Sequence, residues 1–319
     1  MSSPPIRDAR CLVTGGAGFI GSNLVRALLA EGASVTVLDD LSTGSRSHLP
    51  EDPRLTFVAA DLRHEPLAER VRGHHYVFHL AAQVGNLKSI LAPEADATAN
   101  VVGTVRLLHA CAEAGVRKLV YSSSSAIFGE ARSLPIAEDH PQDPASFYAL
   151  SKLTGERYAL LARALWGLPA VALRYFNVFG LPMEDSEYTG VISIFLRRLA
   201  RREPLIVYGD GEQFRDFVHV EDVVQANLLA AAGAEPGAVY NVGTGVRTSV
   251  RDLAEAVQRV AGLRVGVRHE PARSGEVAQS VADVTRIRAE LGYRPRRDLE
   301  SGLAELWREV RDGGAETAG

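Results

Sequence analysis

A tyrosine and a lysine stand four positions apart, at Tyr148 and Lys152, in a segment with helical periodicity. Residues with this spacing lie on one face of a helix, so the two side chains are expected to be neighbours. An ammonium beside a phenol stabilises the phenolate, lowers the pKa of the tyrosine and prepares it to remove a proton from an alcohol. The same pair on a solvated helix surface would carry no chemistry, so the hypothesis depends on what the chain places nearby.

Four consecutive serines, Ser122 to Ser125, precede this pair at the predicted end of a strand. Open α/β sheets bind ligands at the carboxyl ends of their strands. A serine there can hydrogen-bond the oxygen of an alcohol that is being oxidised. The run also suits a loop whose hydroxyls bond their own backbone, and the residues alone do not choose among the four.

Glycines recur at Gly15, Gly18 and Gly21, directly after a predicted strand and into a predicted helix. Glycine accepts positive φ, lets the backbone approach a pyrophosphate and allows a helix to pack closely on a strand. The free N–H groups of the helix that begins near Phe19 then face the phosphates. A structural turn also produces such a motif, but the strand before it and the helix after it predict a dinucleotide site.

An aspartate follows the second predicted strand at Asp39, 18 positions after Gly21. The acid that bonds an adenosine ribose is expected about 20 residues after the glycines. Its carboxylate would repel a 2′-phosphate, which favours NAD over NADP. The alternative is that Asp39 or Asp40 only caps the strand. Asp61, after the third strand, could meet the adenine, although a loop aspartate has many other uses.

Strands and helices alternate in the first half of the chain, the pattern of a parallel sheet covered by helices on both faces. The predicted strands are Cys11–Val13, Ser34–Asp39, Leu55–Ala59, Tyr76–Leu80, Lys118–Ser122 and Ala170–Arg174. The predicted helices are Phe19–Glu31, Pro66–Arg72, Ala95–Ala114 and Phe147–Trp166.

This order predicts an α/β fold with a doubly wound parallel sheet of Rossmann type and a smaller C-terminal substrate-binding domain. Residues 1–176 are expected to bind the cofactor, and 177–319 the substrate, because Gly- and Pro-containing loops and shorter helices follow Phe176. Segments near 217–247 are expected to return to the main sheet.

The bulk properties narrow the class of protein. The net charge is −4, with 46% hydrophobic and 23% charged residues, which argues against nucleic acid or an anionic membrane as the main partner. Cys11 and Cys111 have neither the spacing of a disulfide framework nor that of a metal site, so we expect a reduced, cytoplasmic protein without a metal. No stretch reaches the ~18 apolar residues of a membrane span, and the N-terminus has no apolar core of signal-peptide length.

Several segments together resemble the extended short-chain dehydrogenase/reductase class, in its family of NAD-dependent epimerases and dehydratases. They are TGGAGFIG (14–21), VLDDLSTG (37–44), HLAA (79–82), the serine run, YxxxK (148–152), RYFNVFG (174–180), GDGEQFRDFVHVEDV (209–223), NVGTG (241–245) and RSGE (273–276). The resemblance covers nearly the whole chain and is greatest to the UDP-sugar 4-epimerases.

The resemblance implies roles for individual residues. It implies that Ser124 bridges the 4-oxygen of the sugar, that Tyr148 is the acid/base and that Lys152 activates it. It implies that NAD contacts Gly15, Gly18, Phe19, Ile20, Gly21, Asp39, Asp40, Ser42, Thr43, Gly44, Asp61, Leu62, Leu80, Ala81, Ala82, Asn100, Ser122, Tyr148, Lys152 and Tyr175. It implies that the UDP-sugar contacts Lys88, Ser124, Ser125, Tyr148, Asn177, Val191, Ile192, Phe195, Val207, Tyr208, Arg215, Arg273 and Glu276.

Within that second set, Arg215 and Arg273 are placed on the diphosphate and Glu276 on the uridine ribose. A guanidinium matches phosphate oxygens bidentately, which makes independent sense of the arginines. Arg215 could instead pair with Asp210 or Asp216, and Lys88 could be an exposed helix lysine.

Four features of the sequence depart from the family pattern or refine it. Phe128 stands where a tyrosine is usual, and Leu181-Pro182-Met183 replaces the usual PRQ. Ala126 stands where the related dehydratases and decarboxylases, by the same resemblance, carry a glutamate. The side chain of alanine is a methyl group, which cannot transfer a proton. Ser280 stands where epimerases confined to UDP-glucose and UDP-galactose carry a bulky tyrosine, so a small side chain there implies room for an N-acetyl group.

The resemblance therefore implies an NAD-dependent 4-epimerase of a UDP-hexose that works through a 4-keto intermediate. UDP-glucose, UDP-N-acetylglucosamine and UDP-glucuronate all remain open as substrates. The alternatives are a nucleotide-sugar 4-ketoreductase, a 4,6-dehydratase and a non-catalytic nucleotide sensor on the same fold. The family also implies a homodimer through the helices Ala95–Ala114 and Phe147–Trp166, although amphipathic helices bury against their own sheet as readily.

Overall fold

Seven parallel strands form the centre of the computed structural model, which describes residues 6–182, 190–272 and 277–316. Their order across the sheet is β11-β6-β5-β4-β1-β2-β3. The strands are β1 (Arg10–Thr14), β2 (Ser34–Asp39), β3 (Leu55–Ala59), β4 (Tyr76–His79), β5 (Lys118–Ser124), β6 (Ala170–Tyr175) and β11 (Val239–Val242). This doubly wound α/β sheet confirms the predicted fold class.

The remaining elements are short strands and the helices. The short strands are β7 (Asn177–Phe179), β8 (Leu205–Tyr208), β9 (Phe214–Arg215), β10 (Phe217–His219), β12 (Thr248–Ser249), β13 (Val267–Glu270) and β14 (Gln279–Ser280). The helices are α1 (Phe19–Ala30), α2 (Leu67–Val71), α3 (Asn86–Leu91), α4 (Pro93–Ala97), α5 (Gly103–Glu113), α6 (Phe147–Trp166), α7 (Val191–Ala200), α8 (Val220–Gly233), α9 (Val250–Ala261), α10 (Thr285–Leu291) and α11 (Leu299–Glu316).

Helices cover both faces of the sheet and bury its apolar strands. On one face, α1 and α8 pack over residues such as Val13 and Leu173. On the other face, α5 and α6 pack over residues such as Leu12 and Leu119. Neighbouring residues of a strand point to opposite faces, so a strand buried on both faces is a continuous apolar run, as β1 is.

The strand order reverses between β1 and β4, which are neighbours in the sheet although β2 and β3 lie between them in the chain. The loops after these two strands therefore leave in different directions and open a crevice at the carboxyl edge of the sheet. This crevice is where a ligand is expected, and the glycine turn begins there.

A third apolar cluster lies in the C-terminal half, where α7, α9 and α11 pack around residues such as Phe195, Leu253 and Leu303. β13 pairs with β8, and β9 lies between β12 and β14. Residues 239–242 form the seventh strand of the main sheet, beside β6. The division into a cofactor domain, 1–176, and a substrate domain, 177–319, stays a proposal.

The helix predicted over Ala95–Ala114 was found, but it begins at Pro93 and is not α-helical throughout. The structure has α4, then a wide π-type turn over Thr98–Val102, then α5. The hydrophobic pattern of the sequence does not reveal the extra residue in this wide turn, because the apolar face of the helix continues after it. Helix α3, over Asn86–Leu91, was not predicted.

Candidate active site

The glycine turn joins β1 to α1 at the crevice. Gly15 has φ +69°, and a Cβ on it would lie 2.6 Å from the Ala81 nitrogen, in the loop after β4. A Cβ on Gly21 would overlap the Gly15 carbonyl. Both positions therefore need glycine, because the two loops and the first turn of α1 approach each other more closely than a side chain allows.

The start of α1 fits an anionic ligand. Its N-cap residue is Gly18, and no side chain caps the helix, so the N–H groups of Phe19, Ile20 and Gly21 keep their donors for another partner. Such groups at the N-terminus of a helix hold phosphates. This cradle fits the diphosphate of a dinucleotide.

Asp39 ends β2 with its carboxylate turned to the glycine turn. Its Oδ2 accepts the Ala17 N–H at 2.9 Å and its Oδ1 the Leu41 N–H at 2.8 Å. Burial raises the pKa of this carboxyl, and the two backbone donors oppose the rise. Asp39 thus holds the glycine turn in place, which agrees with the alternative that it caps the strand. Its oxygens also keep lone pairs for a ribose hydroxyl.

The other residues predicted near the adenosine part have local roles. Asp40 is exposed and accepts the Ser42 N–H, and Asp61 forms a bidentate ion pair with Arg63. A Cβ on Gly44 would lie 2.8 Å from the Ala17 carbonyl, so this glycine packs against the turn. Thr43 is exposed, Leu62 is buried, and Leu80, Ala81 and Ala82 are partly buried after β4.

Tyr148 lies in the first turn of α6, which Ser146 caps by accepting the Ala149 N–H at 3.1 Å. Its phenol lies near Ser124, the last residue of β5. The expected lowering of the Tyr148 pKa is corrected by the structure. Burial raises the pKa, the Ser124 contact lowers it, and a nearby Asp96 raises it further.

Lys152 is buried one turn further along α6. Its ammonium lies 4.7 Å from the centre of the Tyr121 ring, and burial lowers its pKa to about 8, against the pull of Asp96 and Glu156. A Cβ on Gly155 would overlap the Tyr121 hydroxyl, so this glycine admits the ring beneath the helix. The aromatic face offers a cation–π contact to the lysine.

A buried ion pair lies behind the reacting residues. The Arg174 guanidinium contacts Glu156 at 2.7 and 3.0 Å, and both residues are almost fully buried. Ser123 donates to the same carboxylate at 2.6 Å, and Arg174 also donates to the Glu138 carbonyl. The cluster joins β5, α6 and β6, and it was not predicted, although Glu156 follows Lys152 by four positions.

Asn100 lies in the wide turn between α4 and α5. Its amide accepts the Gln83 N–H at 2.7 Å and donates to the Gln83 carbonyl at 2.9 Å and the Ser151 hydroxyl at 3.0 Å. The structure therefore places this predicted cofactor residue where it holds the loop after β4 against α6.

Ser122 and Tyr175 are also joined to each other. The Ser122 hydroxyl lies 3.0 Å from the Tyr175 hydroxyl, which also contacts the Asn227 side chain of α8. Burial raises the pKa of Tyr175 to about 12, so its phenol stays neutral. The side chains of Ser122 and Tyr175, both predicted to bind the cofactor, are thus hydrogen-bonded within the sheet and to α8, the helix that covers it.

A cavity of about 650 Å³ lies between the crevice and the C-terminal half. Seven predicted residues line it, one of them predicted for the cofactor and six for the substrate: Phe19, Asn177, Val191, Ile192, Phe195, Tyr208 and Arg215. The Val207 side chain enters the core, because β8 alternates and turns Ile206 and Tyr208 to the cavity, so the substrate contact of Val207 stays a prediction.

The polar residues of this cavity are held by backbone groups. The Asn177 amide donates to the Asp216 carbonyl at 3.3 Å, and the Arg215 guanidinium donates to the Ala278 carbonyl at 3.2 Å. The Asp216 carboxylate is buried and accepts from Thr244, Gly245 and Ala282.

Four predicted site residues are left over. Lys88 is half-buried on α3, and Ser125 is partly buried in the helical turn after β5. Arg273 and Glu276 lie outside the described residues, as does Met183 of the divergent loop. The Leu181 carbonyl of that loop accepts the Asn23 amide of α1 at 2.7 Å, which ties the cavity to the glycine-turn helix.

The model of the NAD dependent epimerase/dehydratase family matches residues 11–243 of the chain. A UDP-glucose 4-epimerase of Mycolicibacterium smegmatis is 41% identical over 302 residues, which cover 93% of this chain and 96% of that protein.

Two solved structures are similar over nearly their whole length. One is a UDP-N-acetylglucosamine 4-epimerase from Methanobrevibacter ruminantium in complex with UDP-N-acetylmuramic acid, with a TM-score of 0.92, 34% identity and coverage of 96% of this chain and 99% of that one. The other is the UDP-glucose 4-epimerase of Thermus thermophilus in complex with NAD, with a TM-score of 0.87, 38% identity and coverage of 95% and 99%.

Proposed function

The chain belongs to the NAD dependent epimerase/dehydratase family, and on that premise we propose that it inverts the 4-position of a UDP-hexose. The observation that carries this proposal is the contact between Ser124 and Tyr148, with Lys152 on the same face of α6. This group of side chains lies at the edge of the sheet where the glycine turn presents its N–H groups.

The reaction requires a proton acceptor beside the 4-hydroxyl group. Tyr148 is that acceptor, Ser124 orients the 4-oxygen, and the positive charge of Lys152 stabilises the phenolate. Bound NAD would supply the hydride acceptor and then the hydride donor, and its positive nicotinamide ring adds a charge that favours the phenolate. Tyr148 returns the proton after the 4-keto sugar has turned its other face, so the enzyme and cofactor finish unchanged.

Proton chemistry at a single carbon sets this proposal apart from a dehydratase. Elimination needs a second acid or base, and position 126 carries alanine, whose N–H donates to the Ser124 oxygen. A 4-ketoreductase would consume reduced cofactor stoichiometrically, whereas the proposed cycle regenerates NAD in place.

The proposed substrate range rests on Ser280, a neighbour of the cavity-lining Arg215. Ser280 is buried on β14, directly opposite Arg215 of β9 in the strand register. A serine leaves more space beside the sugar than a tyrosine would. We therefore include UDP-N-acetylglucosamine with UDP-glucose, and UDP-glucuronate remains to be tested.

The test is to incubate purified protein, without added cofactor, with UDP-glucose, UDP-N-acetylglucosamine and UDP-glucuronate in turn. Conversion to the 4-inverted sugar without net NADH supports the proposal. Conversion only when NADH or NADPH is consumed would show a reductase instead. A Ser280→Tyr variant should lose N-acetylated substrate selectively and keep UDP-glucose.

The proposal includes a homodimer. Large apolar side chains on the outer face of α6 are exposed at Phe147, Leu150, Tyr158, Leu161 and Leu165, which all fall on one side of the helix. Such a stripe suits packing against another helix, and a two-fold dimer brings the same face of two copies together.

The proposal also includes a cytoplasmic location. Both cysteines are free and buried, as a reducing compartment allows. None of the helices in the described ranges combines the length and the hydrophobicity that a transmembrane span needs.

A further inference from the structure

A buried carboxylate faces the reacting residues from α4. Asp96 is 1% exposed, and its Oδ1 accepts the Asn100 amide at 3.0 Å. The same Asn100 amide also donates to the hydroxyl of Ser151, the neighbour of Lys152 in the chain, at 3.0 Å. The Oδ2 atom is buried without any hydrogen-bond partner among the described residues. A buried charge that is incompletely bonded is costly, so its retention calls for an explanation.

The other carboxylate near Lys152 is already neutralised. Glu156 forms its two-contact ion pair with Arg174 and also accepts from Ser123. Within the described part of the chain, no basic group approaches Asp96 to the 4.0 Å of an ion pair. Among the described residues, Asp96 is thus the carboxylate near Lys152 whose charge no other basic group balances. It lies across from the lysine, between α4 and α6.

The electrostatic influence runs in both directions. Burial lowers the pKa of Lys152 and Asp96 opposes that shift; burial raises the pKa of Asp96 and Lys152 opposes that one. The groups that face Lys152 are Asp96 from α4, Glu156 from α6, the Tyr121 ring from β5 and His79 from β4, and Tyr148 lies one turn before it on α6. Burial lowers the pKa of His79 to about 3, so it adds no charge at neutral pH.

The backbone of the α4–α5 segment explains how Asp96 and Asn100 can both lie beside α6. Asp96 and Asn100 are four positions apart, and the wide turn over Thr98–Val102 lies between α4 and α5. The Asn100 amide links α4 to α6, because it donates both to Asp96 and to Ser151. Wide turns of this kind are frequent at functional sites.

We propose that Asp96 is a positioning residue, the fixed counter-charge that holds Lys152 as an ammonium beside Tyr148. This inference rests on the proposed function, because it assigns Asp96 a part in preparing the proposed acid/base. Asp96 acts through Lys152.

The chain offers a direct measurement, because it contains only three lysines, Lys88, Lys118 and Lys152. Protein labelled with ¹³C-lysine gives three side-chain NMR signals, and a Lys152→Arg variant assigns the third. Replacing Asp96 with the isosteric asparagine should lower the titration midpoint of Lys152 by about one pH unit, the effect of one unscreened charge a few ångströms beyond contact. Asp96→Ser removes the same charge with a smaller side chain if the asparagine variant folds poorly.

The matched control is Asp222→Asn. Asp222, at the start of α8, is an equally buried carboxylate, but it accepts hydrogen bonds from the backbone N–H groups of Arg296 and Arg297. Its variant should lose stability without moving the Lys152 midpoint. An unchanged midpoint in the folded Asp96 variants, or an equal shift in the control, would overturn the inference.

Activity gives a second readout. The same carboxylate raises the pKa of Tyr148, so its removal should move the whole kcat/KM profile toward lower pH. The loss should approach tenfold near pH 9 and shrink toward pH 6, whereas a purely structural defect lowers activity equally at every pH. The NMR titration midpoint of Lys152 tests the role of Asp96 even if the protein turns over no UDP-sugar. If the wild-type enzyme is active but the Asp96 variants leave that midpoint unmoved, the inference about Asp96 fails and the proposed function stands.

Discussion

Burial governs the protonation of the reacting side chains before any ligand binds. It raises the pKa of Tyr148 and lowers that of Lys152 to about 8, because each group is more easily charged in water than in the protein. The ammonium is therefore present below about pH 8 and is lost as the pH rises through that value. Its support for the phenolate is lost over the same range.

Removing the phenol tests the proposed acid/base. Tyr148→Phe should lower kcat by about 10²- to 10⁴-fold, because the proton of the 4-hydroxyl group then has no acceptor. The measurement is steady-state turnover, with circular dichroism to confirm the fold. Tyr240→Phe, which loses one hydrogen bond to Glu290 far from the crevice, should retain turnover. Wild-type turnover in Tyr148→Phe would remove the basis of the mechanism.

Removing one charge of the buried ion pair tests what holds β6 to α6. Glu156→Gln leaves the Arg174 guanidinium buried without a counter-charge and should lower the free energy of unfolding by about 3–5 kcal/mol. Glu300→Gln breaks the exposed pair with Arg259 and should cost at most about 1 kcal/mol. Equal losses in denaturant titrations of the two variants would contradict this account.

At the scale of elements, α6 is shaped by the strand beneath it. The Tyr121 ring of β5 occupies the space that Gly155 leaves free, and its hydroxyl donates to the Lys152 carbonyl at 3.2 Å. Helix and strand therefore approach closely where the lysine must be held. A glycine in mid-helix, normally unfavourable, is explained by this contact.

Gly155→Ala tests this close approach. Alanine usually stabilises a helix relative to glycine, but here its methyl group would displace the Tyr121 ring, and we expect a loss of about 1–3 kcal/mol in unfolding free energy. Gly233→Ala, at the end of α8 with only an ordinary contact to Leu291, should be neutral or stabilising. A stabilised Gly155→Ala protein would show that the ring adapts freely.

At the scale of the whole molecule, the proposed dimer rests on the exposed apolar stripe of α6. Leu161 and Leu165 are 52% and 67% exposed, and the Trp166 ring packs edge-on to His109 of α5 at 5.3 Å, which joins the two helices into one surface. Exposed side chains of this size in one stripe favour association.

Leu161→Arg should shift the protein from dimer to monomer in analytical ultracentrifugation, because two copies of the new charge would meet near the two-fold axis. Val267→Arg places the same charge on an exposed valine of β13 and should leave the mass unchanged. A wild-type monomer at all concentrations would refute the dimer.

The sequence by itself determined the fold class and supplied the residues that are proposed to react. Apolar runs, glycine spacing and the Tyr148–Lys152 interval are local patterns, and each one limits the backbone within a few residues. They placed five of the six early strands within one residue of their observed ends, and α6 at both of its ends.

The tertiary structure alone decided which charges meet. Glu156 finds Arg174, Gly155 admits Tyr121, and Asp96 faces Lys152 only after β5, β6 and the α4–α5 turn have packed around α6. The pKa of Tyr148 belongs to this level as well. Desolvation depends on everything that surrounds a group, so spacing along the chain predicted the neighbouring lysine but not the direction of the shift.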